Sequence, residues 1–177
     1  MIDNYPSFNN NHGMKTILLS QGMKTMVDDE DFTFLNQYNW CVTGDSIYGY
    51  KVVRGFGYVE NGEPKTRLIR MHRIIMMCPD MFNVDHIDGN GLNNQKSNLR
   101  ICSHSENMRN RIKRSFKTAS KYKGVSFRKR EQLWRATVWH NNKAVFDRNF
   151  KTEKEAALAY NEAALSFHGE FHRVNTI

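Results

Sequence analysis

VDHIDGNGLNNQKSNLRICSHSENMRNR, residues 84–111, is the stretch that decides how this chain is read. It continues FNVDHI (82–87), a run with the length and apolar content of a short strand. The next eleven residues, 88–98 (DGNGLNNQKSN), are almost all turn formers and exclude regular structure. LRIC (99–102) is a second short strand. Ser103 followed by Glu106 is a capping box, so a helix begins near His104 and runs into Arg109-Asn110-Arg111. The order is strand, long polar loop, strand, helix.

Neighbouring strand residues point to opposite faces, so Asp85 and His86 cannot both bind one ion from a regular strand. They suit two different jobs: a carboxylate on a metal ion and an imidazole on a water. Asn107, brought back by the first helical turn, offers a second, neutral oxygen. Magnesium prefers oxygen ligands and keeps waters that phosphate oxygens can replace, so this set fits phosphodiester hydrolysis. His72 and His104 are read as surface or supporting residues rather than bases.

The joint pattern resembles the HNH nuclease family, and within it the HNH homing endonucleases of phages and mobile introns. The match is carried by Asp85-His86, then Asn98-Leu99-Arg100, then the capped helix with Asn107. The resemblance implies a ββα-metal core in which His86 is the general base. It further implies that Asp85 and Asn107 hold one catalytic magnesium or manganese, and that Asn98 bonds across the polar loop to position His86. The family's last letter is Asn here rather than His. That leaves oxygen ligands only and disfavours zinc or nickel.

Downstream, the region between Arg109 and Lys123 holds Arg109, Arg111, Lys113, Arg114, Lys117, Lys121 and Lys123 and no acidic residue. A basic linker is placed at 115–121. YKGVSFRKR, LWRATVWH and KAVFDRNF are three strand-like runs parted by polar turns. Thr152 with Glu155 makes a second capping box, opening a helix that Gly169 stops. Its stripe of Ala156, Ala159, Tyr160, Ala163 and Phe167 is ordinary core. Residues 120–176 resemble the Apetala-type DNA-binding domain of plant ethylene-response factors, chiefly through Tyr122-x-Gly124-Val125 and the EAALAYNEAA helix. In that family the sheet lies in the major groove and the helix packs behind it. Alternation then puts Trp134, Ala136 and Val138 toward the helix and Arg135, Thr137 and Trp139 outward. Ser126, Thr137 and Ala144 replace residues that are usually charged in plant members, so the plant recognition sequence does not carry over. Candidate DNA contacts are Arg100, Arg109, Arg111, Lys113, Arg114, Lys121, Lys123, Arg128, Lys129, Arg135, Trp139 and Arg148.

Upstream, residues 1–13 are Asn-rich and read as a disordered leader. KTILL and MKTMV are strands around a Gln-Gly turn. The acidic run Asp28–Asp31 opens a short helix carrying Phe32, Phe34, Leu35 and Tyr38. SIYGYKVV and TRLIR are further strands around a turn at NGEP, and Met71–Met77 is helical. By themselves these residues name no chemistry.

Charge agrees with a polyanionic partner. Of the 177 residues, 1–70 hold 7 Lys/Arg against 8 Asp/Glu, 71–114 hold 7 against 4, and 115–177 hold 12 against 6, within a net charge of +8. Cys41, Cys78 and Cys102 form no CxxC pair, so neither a disulfide framework nor a structural zinc is expected. No apolar run is long enough to cross a bilayer, and no membrane association is expected.

The expectation is an α+β protein in five parts. These are the leader 1–13, a small mixed unit 14–70, an HNH core 71–114, the linker 115–121, and a three-stranded antiparallel sheet on one helix at 122–177. Such a chain would be a sequence-selective, metal-dependent endonuclease of homing type acting on double-stranded DNA. It would be cytoplasmic in a phage-infected or bacterial host cell, and a monomer or weak homodimer. Two rivals stay open: a non-catalytic DNA-binding regulator built on a decayed HNH core, and an RNA-directed nuclease. The narrow A-form major groove, which cannot admit a sheet, counts against the second.

Overall fold

The computed structural model describes residues 13–46, 49–111, 113 and 119–177. The leader apart from Gly13, Arg114, Lys117 and the greater part of the linker at 115–121 fall outside the described residues. The class is α+β, with small antiparallel sheets and four α-helices among the described residues. The chain divides into two compact units, residues 1–77 with 90–100, and residues 78–89 with 101–177.

The first unit opens with a hairpin of β1 (Met14–Leu18) and β2 (Lys24–Asp28), then α1 (Asp29–Leu35). Strands β3 (Cys41–Thr43), β4 (Lys51–Glu60) and β5 (Glu63–Arg70) form a sheet in that order, followed by α2 (Met71–Ile75). Of the strand expected at 46–53, Ile47 and Tyr48 lie outside the described residues, and β4 spans Lys51–Glu60. Asn61-Gly62, both with positive φ, then turn it tightly into β5. β3 carries no alternating pattern and was not foreseen. Val27, Leu35, Trp40, Val52, Val53 and Met71 are buried, and the Trp40 indole donates to the Leu35 carbonyl (2.8 Å).

Residues 90–98 of the polar loop belong to this unit. Met26 N donates to Leu92 O (2.9 Å), Asn94 N donates to Met26 O (2.8 Å), and the fully buried Asn94 amide donates to Thr25 Oγ1 (2.8 Å). Asp28 stands at the N-cap of α1 without capping it. Its carboxylate accepts from Lys96 N (2.7 Å) and Gln95 Nε2 (3.3 Å) instead, while the Lys96 ammonium pairs with Glu30 and Asp31. The loop thus keeps an irregular backbone, with Leu92 O, Asn94 N, the Asn94 amide and Lys96 N all bonded to β2.

The second unit holds β6 (Asn83–His86) and α3 (His104–Asn110), with the last two residues of β7 (Leu99–Cys102), the strand that pairs with β6. It continues with β8 (Val125–Arg128), β9 (Leu133–His140), β10 (Lys143–Phe150) and α4 (Glu153–His168). The sheet order is β10-β9-β8, all antiparallel. Both capping boxes form: Ser103 accepts from Glu106 N, Thr152 accepts from Glu155 N, and each Glu returns the bond to the cap backbone. Ala136 and Val138 of β9 pack with Ala156, Ala157, Tyr160, Ala163 and Ala164 of α4. The buried stripe of α4 therefore runs through Ala157, Ala164 and His168, and Phe167, expected in the core, lies off it and is exposed. Gly124 (φ +72°) lets β8 pass close to α4, since a Cβ there would lie 2.0 Å from the Tyr160 ring.

Candidate nuclease site

Asp85 and His86 end β6, and their exposures differ as the pleat requires. Asp85 is 7% exposed, whereas His86 is half-buried. The capping box starts α3 so that Asn107 lies in its first turns and Asn110, three residues on, shares its face. Asn110, 5% exposed, turns its amide nitrogen onto the end of β6. It donates to Asp85 Oδ1 (3.2 Å) and Oδ2 (3.0 Å), to His86 O (3.0 Å) and, more distantly, to Ile87 O (3.4 Å). One amide thus fixes both the carboxylate and the peptide that carries the imidazole. Sequence reasoning missed it. The only signal was its i,i+3 spacing from Asn107, and nothing local says which carboxylate such a side chain will meet.

Asn98 lies in a 3-10 turn, residues Lys96–Asn98, within the first unit, where its amide donates to Asn93 O (2.9 Å). It braces the polar loop internally. His104 is exposed and His72 is buried in α2.

A divalent ion fits these residues by their chemistry. The buried Asp85 carboxylate accepts from the neutral Asn110 amide, a contact that leaves its negative charge in place. Its oxygens are hard donors of the kind magnesium and manganese prefer, and Asn107, half-buried on α3, would add a neutral oxygen of the same character.

Comparison with known proteins identifies the family. Residues 70–109 match the HNH endonuclease family pattern. An uncharacterized HNH endonuclease of Acanthamoeba polyphaga mimivirus is 32% identical over 168 residues, covering 90% of this chain and 80% of that protein. The chain belongs to the HNH endonuclease family. Protein 3.8 of Escherichia phage T7 is 34% identical over 97 residues, covering 54% of this chain and 77% of that protein. APETALA2-like protein 2 of rice is 39% identical over 51 residues, covering 29% of this chain and 12% of that protein. The likeness to the plant domain rests on that short match. No solved structure matches significantly.

The cations expected on DNA differ in exposure and in their partners in this HNH endonuclease. Arg111, Lys121, Arg128, Lys129 and Arg148 are exposed. Trp139 is 61% exposed on β9, beside a cleft of about 650 Å³ that also involves Ser105, Met108 and Arg109 of α3. Arg100 and Arg109 are half-buried. By contrast, three cations are engaged within the protein. Arg135 pairs with Asp147 across β9 and β10, Lys113 donates to Tyr122 O (2.8 Å) and Val125 O (3.0 Å), and Lys123 donates to carbonyls in the last turn of α3 and just beyond it. Burial lowers the Lys113 pKa and pushes that of Lys123 down to about 8, with Arg173 and Arg111 adding to the latter. The stretch read as a basic linker, 115–121, is ordered at its described end. Ser120 is buried, with its hydroxyl on Glu153 Oε1 (2.7 Å).

Proposed function

We propose that this HNH endonuclease is a sequence-selective, metal-dependent enzyme of homing type that hydrolyses phosphodiester bonds of duplex DNA. The observation carrying the reading is the buried Asp85 carboxylate held by Asn110 beside the half-buried His86. Asp85 and Asn107 would hold magnesium or manganese, which when bound supplies charge stabilisation to the departing 3′ oxygen. His86 takes the proton from the attacking water, and its orientation follows from a peptide whose carbonyl is fixed by Asn110 (3.0 Å). Asn98 stiffens the polar loop that follows His86. The exposed Arg128, Lys129 and Arg148 meet phosphates and base edges, with Trp139 as an aromatic contact. One chain supplies one such site, so a monomer nicks a single strand in each binding event.

The test is incubation of purified protein with supercoiled plasmid and phage DNA, in magnesium or in EDTA, beside His86→Ala. Metal-dependent nicked or linear product from the wild type alone supports the reading. Equal cutting by His86→Ala sinks the mechanism. Salt-sensitive binding with no cutting on any DNA favours a non-catalytic regulator.

A further inference from the structure

The residues after α3 form a chain of contacts that the nuclease reading does not use. α3 has only seven residues, too few to be stable alone, and its last carbonyls lack partners inside the helix. The Lys123 ammonium sits at that end. It donates to Met108 O (3.4 Å), Arg109 O and Arg111 O (2.8 Å). An ammonium has three donors, and three backbone carbonyls take them, so none remains for a phosphate. A cation in this place also suits the negative end of the helix dipole.

Lys123 is itself held on both sides of its backbone by one side chain. Its N–H donates to Asn175 Oδ1 (2.7 Å), and Asn175 Nδ2 donates to its carbonyl (3.1 Å). Asn175 is clasped in turn by Asn161 of α4. Asn161 Nδ2 donates to Asn175 O (3.0 Å), and Asn175 N donates to Asn161 Oδ1 (2.8 Å). From the same tail, Arg173 Nη1 donates to Asp88 O (3.0 Å), two residues beyond His86. The path runs from α4 through Asn175 and Lys123 to the helix that carries Asn107 and Asn110.

We propose that Lys123, backed by Asn175, is a positioning residue of the nuclease site: it anchors the end of α3 so that Asn107 and Asn110 stay aligned with Asp85. The sheet-and-helix domain is then part of the nuclease scaffold, and the C-terminal residues 173–175 are its brace. This inference rests on the nuclease reading above.

The experiment compares wild type, Lys123→Met and Lys123→Arg by hydrogen–deuterium exchange over residues 104–110, single-turnover cleavage, and DNA affinity across a salt series. Expected for Lys123→Met are faster exchange in α3 and a cleavage rate lowered roughly 10–100-fold, as for loss of a partner that orients a metal ligand. Affinity and salt slope stay at wild-type values, and Lys123→Arg, which keeps several donors, recovers part of the rate. An unchanged rate with a salt slope reduced by about 1 would make Lys123 a phosphate contact and overturn the proposal. Unchanged exchange over 104–110 overturns it equally. Should Lys123→Met melt below the assay temperature, Lys123→Gln, which retains an amide donor, is read against the same outcomes. If the wild type binds DNA and never cuts, the nuclease reading fails, while the exchange data still decide whether the brace exists.

Discussion

Replacing Asn110 by Asp tests the site at its most sensitive contact. The Asn110 amide nitrogen stands 3.0 and 3.2 Å from the two Asp85 oxygens, and both residues are buried. In Asn110→Asp a carboxylate oxygen takes that place. Two unit charges about 3 Å apart repel by about 5.5 kcal/mol at an effective dielectric of about 20. Protonating one carboxyl of ordinary pKa at pH 7 costs only about 4 kcal/mol, so the folded variant takes up a proton instead. Its folded pKa is then raised above the unfolded value, the folded state binds more protons, and stability falls as pH rises. The deficit relative to wild type is about 4 kcal/mol at pH 7 and shrinks by about 1.4 kcal/mol per unit down to about pH 5. Asn110→Ala loses the donor without adding a charge, so its deficit of about 1.5–3 kcal/mol is flat with pH over this range. Urea denaturation of the three proteins at several pH values provides the measurement. If Asn110→Asp and Asn110→Ala track each other across pH, the amide does not face Asp85 as described, and the account of the site fails.

Two further outcomes follow from the second unit. His168 has its pKa lowered by burial first, and also by the charges of Arg109, His140 and Lys123, against a raising bond to Trp139 O. Below the ordinary value of 6.5 the unfolded chain gains a proton that the folded one resists, so stability falls on acidification; His168→Gln should flatten that slope in melts between about pH 7.5 and 5.5. Gly124→Ala places a Cβ into the Tyr160 ring at positive φ and should cost at least about 2 kcal/mol by thermal or urea melt. A variant within about 0.5 kcal/mol of wild type would show that β8 and α4 are not so closely packed.

What the sequence alone determined is what local chemistry controls. The two capping boxes, the turn at Asn61-Gly62, the alternation of Ala136 and Val138 against Trp139, and the strand–loop–strand–helix order around Asp85-His86 all depend on residues within a few positions of one another. Hydrogen-bond reach and the periods of strand and helix suffice to read them. That local order, with its residue types, was also enough to suggest the family. Tertiary structure decided every pairing over longer separations. Asn110 finds Asp85 25 residues back, and the polar loop finds β2 through Asp28, 68 residues before Lys96. Lys123, read as a phosphate contact because it is a cation in a basic stretch, spends its charge on the end of α3. Residue type states which bonds a side chain is able to make. Only the packing of β6, α3 and α4 states which partners lie within about 3 Å, where those bonds form.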